Sequence, residues 1–236
     1  MSPIQQMLLG AGAVATKTYV DDVFSTDVYL GNATNNRSIV NNIDLATEGG
    51  LVFLKKRGNS AGWISCDTVT GANKQLEPNN AAAQTNLTGT ESNYLTAFNT
   101  NGFVIGDASK VNEHSGMTHA AWTWRRAPGF FDVVTWTGNG TAGRTISHSL
   151  SSVPGMILVK RTDTSADWAV YHRTNGATKI FYLNSSGGVV TDSDPWNDTE
   201  PTSSVFTVGD HAMVNASSAT YVGYVFAGGA STSSLA

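Results

Sequence analysis

The sequence predicts an all-β protein of two tandem, homologous antiparallel β-sandwich units, preceded by a short apolar N-terminal arm. Charged residues make up 14% of the 236 residues, hydrophobic residues make up 40%, and there are 24 glycines. Such a composition is typical of short strands joined by tight turns. The apolar runs are short and bounded by Gly, Asn, Asp or Pro, which is the signature of strands. The third observation is an internal repeat.

The repeat pairs the two halves of the chain in collinear order. The run Gly50–Arg57 matches Gly155–Arg161 at an offset of 105 residues, and the same offset pairs Trp63 with Trp168. Flanking segments match at offsets of 107 upstream and 103 downstream, and the two halves end alike, with residues 120–124 matching residues 222–226. Offsets that drift by a residue or two indicate one ancestral unit with loop insertions. The predicted units are residues 27–126 and 131–230.

Within each unit, one run predicts the centre of a sheet. The runs that begin at Leu51 and Met156 are unbroken apolar stretches ending in basic residues. They indicate central strands that are covered on both faces. A unit of this length matches the usual size of a β-sandwich, about 100 residues. Residues 231–236 have the composition of a linker-like tail.

Residues 1–26 precede the first unit and have no counterpart before the second. Their first fifteen residues carry no charged side chain. The apolar run resembles the core of a signal peptide but lacks the basic residues that precede such a core. Exposed to water, it would be an adhesive patch. We therefore expect a docking arm, covered by the protein's own sandwich or by a neighbour, whose docking residues are Ile4, Met7, Leu8, Leu9 and Val14.

Charge and hydropathy exclude two classes of partner. The net charge is −4, so electrostatic binding to nucleic acid is not expected. No apolar run approaches the roughly 18 residues that span a membrane, so no membrane insertion is expected. The single cysteine, Cys66, cannot form an intrachain disulfide. We expect a buried free thiol.

Two motifs resemble chemical sites and are interpreted as loops. Residues 138–143 read Gly-x-Gly-x-x-Gly, but poor helix formers follow, and the counterpart at 31–36 keeps only one of the three glycines. A hairpin turn explains both copies, so we expect no cofactor. Asp192, Asp194 and Asp198 could hold a hard cation, but no glycine fixes their backbone. We expect a solvated loop, no metal and no catalytic residue.

The tryptophans leave two readings open. Trp63 and Trp168 are held at equivalent positions by the repeat, either as core residues or as platforms for the apolar face of a pyranose. Their retention in both units favours largely buried positions. Trp196 is a third candidate for glycan stacking. An aromatic face open to water distinguishes the glycan-binding reading from the structural one.

Several segments resemble proteins of one viral group. The opening, Met1–Gly12, is similar to the start of large structural proteins of marine tailed phages, notably those that infect cyanobacteria. Phe130–Gly140, Val153–Arg161 and Asp167–His172 resemble an uncharacterised β-domain of those proteins. The resemblance covers nearly the whole chain. It implies a virion component, and that family has no established catalytic residues to carry over.

The sequence therefore leads us to expect a non-enzymatic phage virion protein, assembled in the host cytoplasm. It would be a tail-fibre or adaptor module or a head-decoration protein, with other virion proteins as partners. Its low-charge surface also predicts a homo-oligomer, a trimer if the part is fibrous. The alternative is a carbohydrate-binding module that contacts host surface glycans through exposed aromatic side chains.

Overall fold

The computed structural model describes residues 18–58, 60–87, 94–113 and 116–229, and the regular secondary structure of these residues is nearly all β-strand. The strands of the first half are β1 (Phe24–Leu30), β2 (Arg37–Val40), β3 (Gly50–Lys56), β4 (Trp63–Asp67), β5 (Lys74–Gln75), β6 (Thr85–Asn86), β7 (Leu95–Asn99), β8 (Gly102–Ile105) and β9 (Thr118–Arg125). Those of the second half are β10 (Phe131–Thr137), β11 (Arg144–Ser147), β12 (Pro154–Arg161), β13 (Ala169–His172), β14 (Lys179–Tyr182), β15 (Val190–Thr191), β16 (Val205–Val208) and β17 (Thr220–Ala227). Three single helical turns are α1 (Val20–Val23), α2 (Ser109–Asn112) and α3 (Ala212–Asn215).

Each half contains a main sheet and a small sheet, and the first half also contains the two-stranded antiparallel sheet β5-β6. The first main sheet has the order β1-β9-β3-β4, and the second has the order β10-β17-β12-β13-β14-β15. The small sheets are β2-β8-β7 and β11-β16. All of these pairs are antiparallel. The all-β class predicted from the sequence is confirmed.

The two halves also share their strand register. Leu51 pairs with Trp124 in the first main sheet, and Met156 pairs with Phe226 in the second. These are the residues that the repeat aligns. That the halves arose by duplication is our interpretation of this correspondence. One boundary differs, because β1 begins at Phe24 and residues 24–26 therefore belong to the first main sheet rather than to the arm.

The sheets stack as four layers, with the main sheets in the middle. One apolar cluster fills the space between each main sheet and its own small sheet. A third cluster lies between the two main sheets and draws residues from both halves, including Leu51, Leu76, Leu158 and Tyr224. Side chains alternate along a strand, so β3 sends Leu51 to the central cluster and Val52 to its own sandwich. The predicted central strands β3 and β12 are therefore covered on both faces.

The contact between the halves includes one buried polar pair. The Tyr224 hydroxyl donates to Oδ2 of Asp67 at 3.0 Å, and both residues are buried. Burial raises the pKa of Asp67 despite the hydrogen bonds that the carboxylate accepts. Main-chain bonds add to the contact, since Gln84 N donates to Thr162 O and Ala166 N donates to Ala81 O, each at 2.9 Å. The halves thus form one continuous interior.

Candidate functional site: an open aromatic pair between the two units

A cleft of about 300 Å³ opens between the two units on the central face of the first main sheet. Its lining is apolar apart from one amide. Trp63 lies at the start of β4, where its main-chain N–H donates to Oδ1 of Asn79 at 2.6 Å. The lining residues are Phe53, Trp63, Pro78, Asn79 and Leu183.

Trp63 forms an aromatic pair with Trp122 of β9. Their ring centroids are 5.1 Å apart and their planes are inclined by 33°. Both side chains are half-buried. Alternation along the strands places Phe53 and Trp122 on the face that meets the second unit, so the pair forms the outer margin of the central cluster. It is an aromatic surface with part of its area in water.

The same pair exists in the second unit, where it is covered. Trp168 and Tyr224 correspond to Trp63 and Trp122, and their centroids are 6.0 Å apart at 36°. Trp168 has an exposed fraction of 0%, and its Nε1 donates to the main-chain oxygen of Glu77 at 3.2 Å. The first unit therefore covers the aromatic pair of the second. The prediction of a largely buried residue is confirmed for Trp168, whereas Trp63 is only half-buried.

This burial removes two of the three candidates for glycan stacking. Trp168 has no ring face in contact with water. Trp196 is 1% exposed and packs edge to face on Tyr171, at 5.8 Å between centroids. A pyranose can reach neither ring, because each lies inside an apolar cluster. Trp63 alone of the three keeps an accessible face.

A second apolar surface lies on β1, at the free edge of the first main sheet. Val28 and Leu30 are 62% and 59% exposed. β1 pairs with β9 on one side, and no described strand pairs with its other side. The corresponding edge strand of the second unit, β10, carries Thr135 and Thr137 at these positions. We call Val28 and Leu30 the edge patch.

The glycine-rich segment at 138–143 is a loop and not the predicted hairpin turn. It joins β10 to β11, which lie in different sheets. Buried Asn215 holds the loop, since Asn139 N donates to its Oδ1 at 3.0 Å and its Nδ2 donates to Thr141 O at 2.9 Å. In the first unit, Asn112 makes the corresponding bonds to Asn32 and Thr34. In both units, a buried asparagine amide thus holds this loop in place through hydrogen bonds to the main chain.

Cys66 and His119 are also inaccessible. Cys66 is a buried free thiol, as predicted, and burial raises its pKa, so the thiolate is scarce at neutral pH. His119 is buried in β9, and its Nε2 accepts from Glu113 N at 3.3 Å. Burial lowers the pKa of this imidazole. In the part of the chain that the structure describes, no three His, Cys, Asp or Glu residues are grouped closely enough to hold a metal ion.

The predicted docking residues of the arm, Ile4 to Val14, lie outside the described residues. Within those residues, no helix has the length and apolar character needed to cross a bilayer. The sequence contains a signal for the edge patch that the sequence analysis did not use. The repeat aligns Val28 and Leu30 with two threonines, so the first unit has apolar residues where the second has polar ones. The cleft gave no such signal, since Pro78 and Leu183 come from different units and only the packing of the units brings them together.

Comparison with known families adds one match. Residues 20–235 match a family described as a domain of unknown function, DUF7483. The chain belongs to the DUF7483 family. The matched region of this DUF7483 protein contains both units and the junction between them. No curated protein and no solved structure matches the chain.

Proposed function

We propose that this protein is a non-enzymatic structural component of a phage virion, assembled in the host cytoplasm, that acts through protein–protein contacts. It serves as a tail-fibre or adaptor module or as a decoration protein on the head. The similarity of its sequence to structural proteins of marine tailed phages supports the virion assignment. The partners are other virion proteins and further copies of the chain.

The edge patch is the observation that carries the proposal. An edge strand presents unpaired main-chain N–H and C=O groups, and soluble proteins usually protect such edges with charge or cover. β1 has seven residues and ends in two exposed apolar side chains, Val28 and Leu30. Apolar side chains grouped on an open edge mark an interaction surface. Strand pairing across this edge would extend the main sheet into a neighbouring molecule.

The second unit supplies the substitutions that test this role. Because β10 carries Thr135 and Thr137 at the corresponding positions, Val28→Thr with Leu30→Thr places residues there that the same fold already accepts. We expect the double variant to fold normally and to lose assembly. Light scattering should show a homo-oligomer, a trimer if the part is fibrous, for the unchanged chain and smaller species for the variant. Incorporation into particles should fall at the same time.

Val40→Thr is the matched control. Val40 is exposed on β2 of the first small sheet, which is a different sheet from that of the edge patch. This change should leave both the molecular mass and incorporation unaltered. A double variant that assembles and enters particles like the unchanged chain would remove the edge patch from the proposal. A chain that stays monomeric at high concentration and enters no particle would overturn the proposed function itself.

The glycan-binding alternative now depends on Trp63. Its half-open ring is the observation that favours this second candidate, since aromatic faces pack against the apolar face of a sugar. Immobilised host surface glycans should then retain the protein, and Trp63→Ala should abolish retention. Retention that persists in this variant, or no retention of either protein, would contradict the alternative.

A further inference from the structure

The two units carry the same aromatic surface, which is covered in one unit and open in the other. In the second unit, the surface of Trp168 and Tyr224 is closed by a segment of the first unit. In the first unit, the surface of Trp63 and Trp122 borders an open cleft. What closes the second surface therefore indicates what kind of molecule fits the first.

The closing segment is Leu76–Glu77–Pro78. Leu76 is extended, bridges to Ser65, and is buried in the central cluster. Glu77 offers its main-chain oxygen to the indole N–H of Trp168. Pro78 is buried beside it. The cover thus runs from the bridge at Leu76 into a turn at Pro78, and Asn80 N closes this turn by donating to Glu77 O at 3.1 Å.

The first unit lacks an equivalent cover. The repeat aligns Phe181–Leu183 with Leu76–Pro78, and Leu183 does reach the cleft, but it remains 40% exposed. Among the described residues, Nε1 of Trp63 has no hydrogen-bond partner, whereas Nε1 of Trp168 has Glu77 O. The site thus offers an apolar wall, an aromatic face and a free N–H donor.

We propose that the cleft at Trp63 binds a peptide segment of a neighbouring virion protein that turns at a proline, with a large apolar residue before the turn and a main-chain carbonyl at the turn that accepts from the indole. This inference rests on the proposed assembly function. The cleft is continuous with the contact between the units, because Phe53 belongs to both. In each copy of this chain, Leu76 and Pro78 are buried and Glu77 O is bonded to Trp168, so this segment is not free to bind a second copy. We therefore assign the occupant to a different protein.

The lining favours a peptide over a sugar. Phe53, Pro78 and Leu183 present carbon to the occupant, and Asn79 is the one amide among the lining residues. A pyranose carries several hydroxyl groups and would find only the Asn79 amide and the Trp63 N–H as partners here, so most of its hydroxyl groups would lose water without gaining a hydrogen bond. An apolar side chain loses nothing of this kind, and the peptide carbonyl gains the Trp63 donor.

The probe is a blocked seven-residue peptide with the sequence of residues 74–80, Lys-Gln-Leu-Glu-Pro-Asn-Asn. It is titrated into the full chain while the indole N–H signals are followed by NMR. The Trp63 signal should shift saturably, with a dissociation constant of roughly 0.1–1 mM, equivalent to about −5.5 to −4 kcal/mol. The Trp168 signal should stay in place because its donor is already bonded.

Leu183→Asp tests the site, since Leu183 is exposed at its mouth and a carboxylate there would oppose apolar contact. It should weaken binding at least tenfold. Val153→Asp, at an exposed position outside the cleft lining, should leave binding unchanged. A peptide in which aspartate replaces the leucine should not bind either.

Three results would overturn the inference. The first is a Trp63 signal that does not shift at several millimolar peptide. The second is peptide binding that is unchanged in the Leu183→Asp variant. The third is a Trp63 shift that a neutral oligosaccharide causes and the peptide does not. The last result would assign the cleft to glycans. Because the edge-patch variants are judged by molecular mass and incorporation, failure of the peptide experiment leaves the proposed assembly function standing and is distinguishable from its failure.

Discussion

Trp124 and Phe226 occupy corresponding positions in the two units, and their rings meet edge to face across the central cluster, with centroids 6.1 Å apart. Contact between equivalent residues is the mark of a two-fold arrangement. The two units therefore pack nearly symmetrically at this point. The symmetry is lost further out, where Trp168 is sealed and Trp63 borders a cleft. The aromatic surface is therefore part of the interior in the second unit and is partly exposed to solvent in the first.

This asymmetry predicts unequal effects of two equivalent substitutions. Trp168→Ala should lower the free energy of unfolding by about 3–5 kcal/mol, because it leaves a cavity in the central cluster. It also leaves Glu77 O without its donor. Trp63→Ala removes a half-buried ring and should lower it by about 1–2 kcal/mol. Urea unfolding of both variants measures the difference. Equal losses would contradict the unequal burial of the two rings.

The sequence predicted the elements that depend on local pattern. Unbroken apolar runs at Leu51 and Met156 marked the central strands, since a strand covered on both faces needs apolar residues at every position. The repeat also paired Trp63 with Trp168 before any geometry was known. These signals are carried by neighbours in sequence, and the structure places both runs at the centre of the main sheets.

The sequence could not predict how the two units pack. β3 and β12 carry apolar residues on both faces. This sequence pattern fits two separate sandwiches as well as four stacked layers, so it did not distinguish them. The environment of Trp63 depends on Leu183, 120 residues away. The prediction of a hairpin at Gly138–Gly143 was wrong. The Gly and Asn residues of this segment favour a tight turn, whereas the residue that holds the loop, Asn215, is distant in sequence.

A buried lysine gives a prediction on pH. Lys160 is fully buried, and its Nζ donates to Arg161 O at 2.7 Å. Burial lowers its pKa to about 8, although Asp167 and Asp163 oppose this. At pH values below 8 the group is protonated in both states and its desolvation opposes folding. Between pH 8 and its unfolded pKa, the unfolded chain binds more protons, so stability should rise with pH.

Lys160→Met should therefore stabilise the protein at pH 7, by on the order of 1–3 kcal/mol. It should also flatten the rise in the free energy of unfolding between pH 8 and 10. The control is Lys55→Met, which changes the corresponding residue of the first unit; Lys55 is half-buried and its Nζ donates to two main-chain oxygens. Unfolding curves at several pH values measure both effects. A Lys160→Met variant with an unchanged pH dependence would show that the ammonium group is hydrated.

The last prediction concerns the first fifteen residues. Among the described residues, which begin at residue 18, the members of the three apolar clusters lie at or beyond Tyr29, and the first described strand begins at Phe24. Deleting residues 1–15 should therefore leave a folded, soluble protein, with a thermal midpoint within a few degrees of that of the full chain. Particles should no longer incorporate it, because the deletion removes the predicted docking residues.

A full-length variant with serine at positions 4, 7, 8, 9 and 14 separates the apolar side chains from the length of the arm. If apolar contacts anchor the arm, this variant should fold normally and fail to join the particle, like the deletion. A segment that orders on binding loses conformational entropy, so its anchoring side chains must outweigh that loss. Serine removes the anchors and keeps the entropic cost. If either altered chain unfolds or aggregates, the segment belongs to the core and is no docking arm.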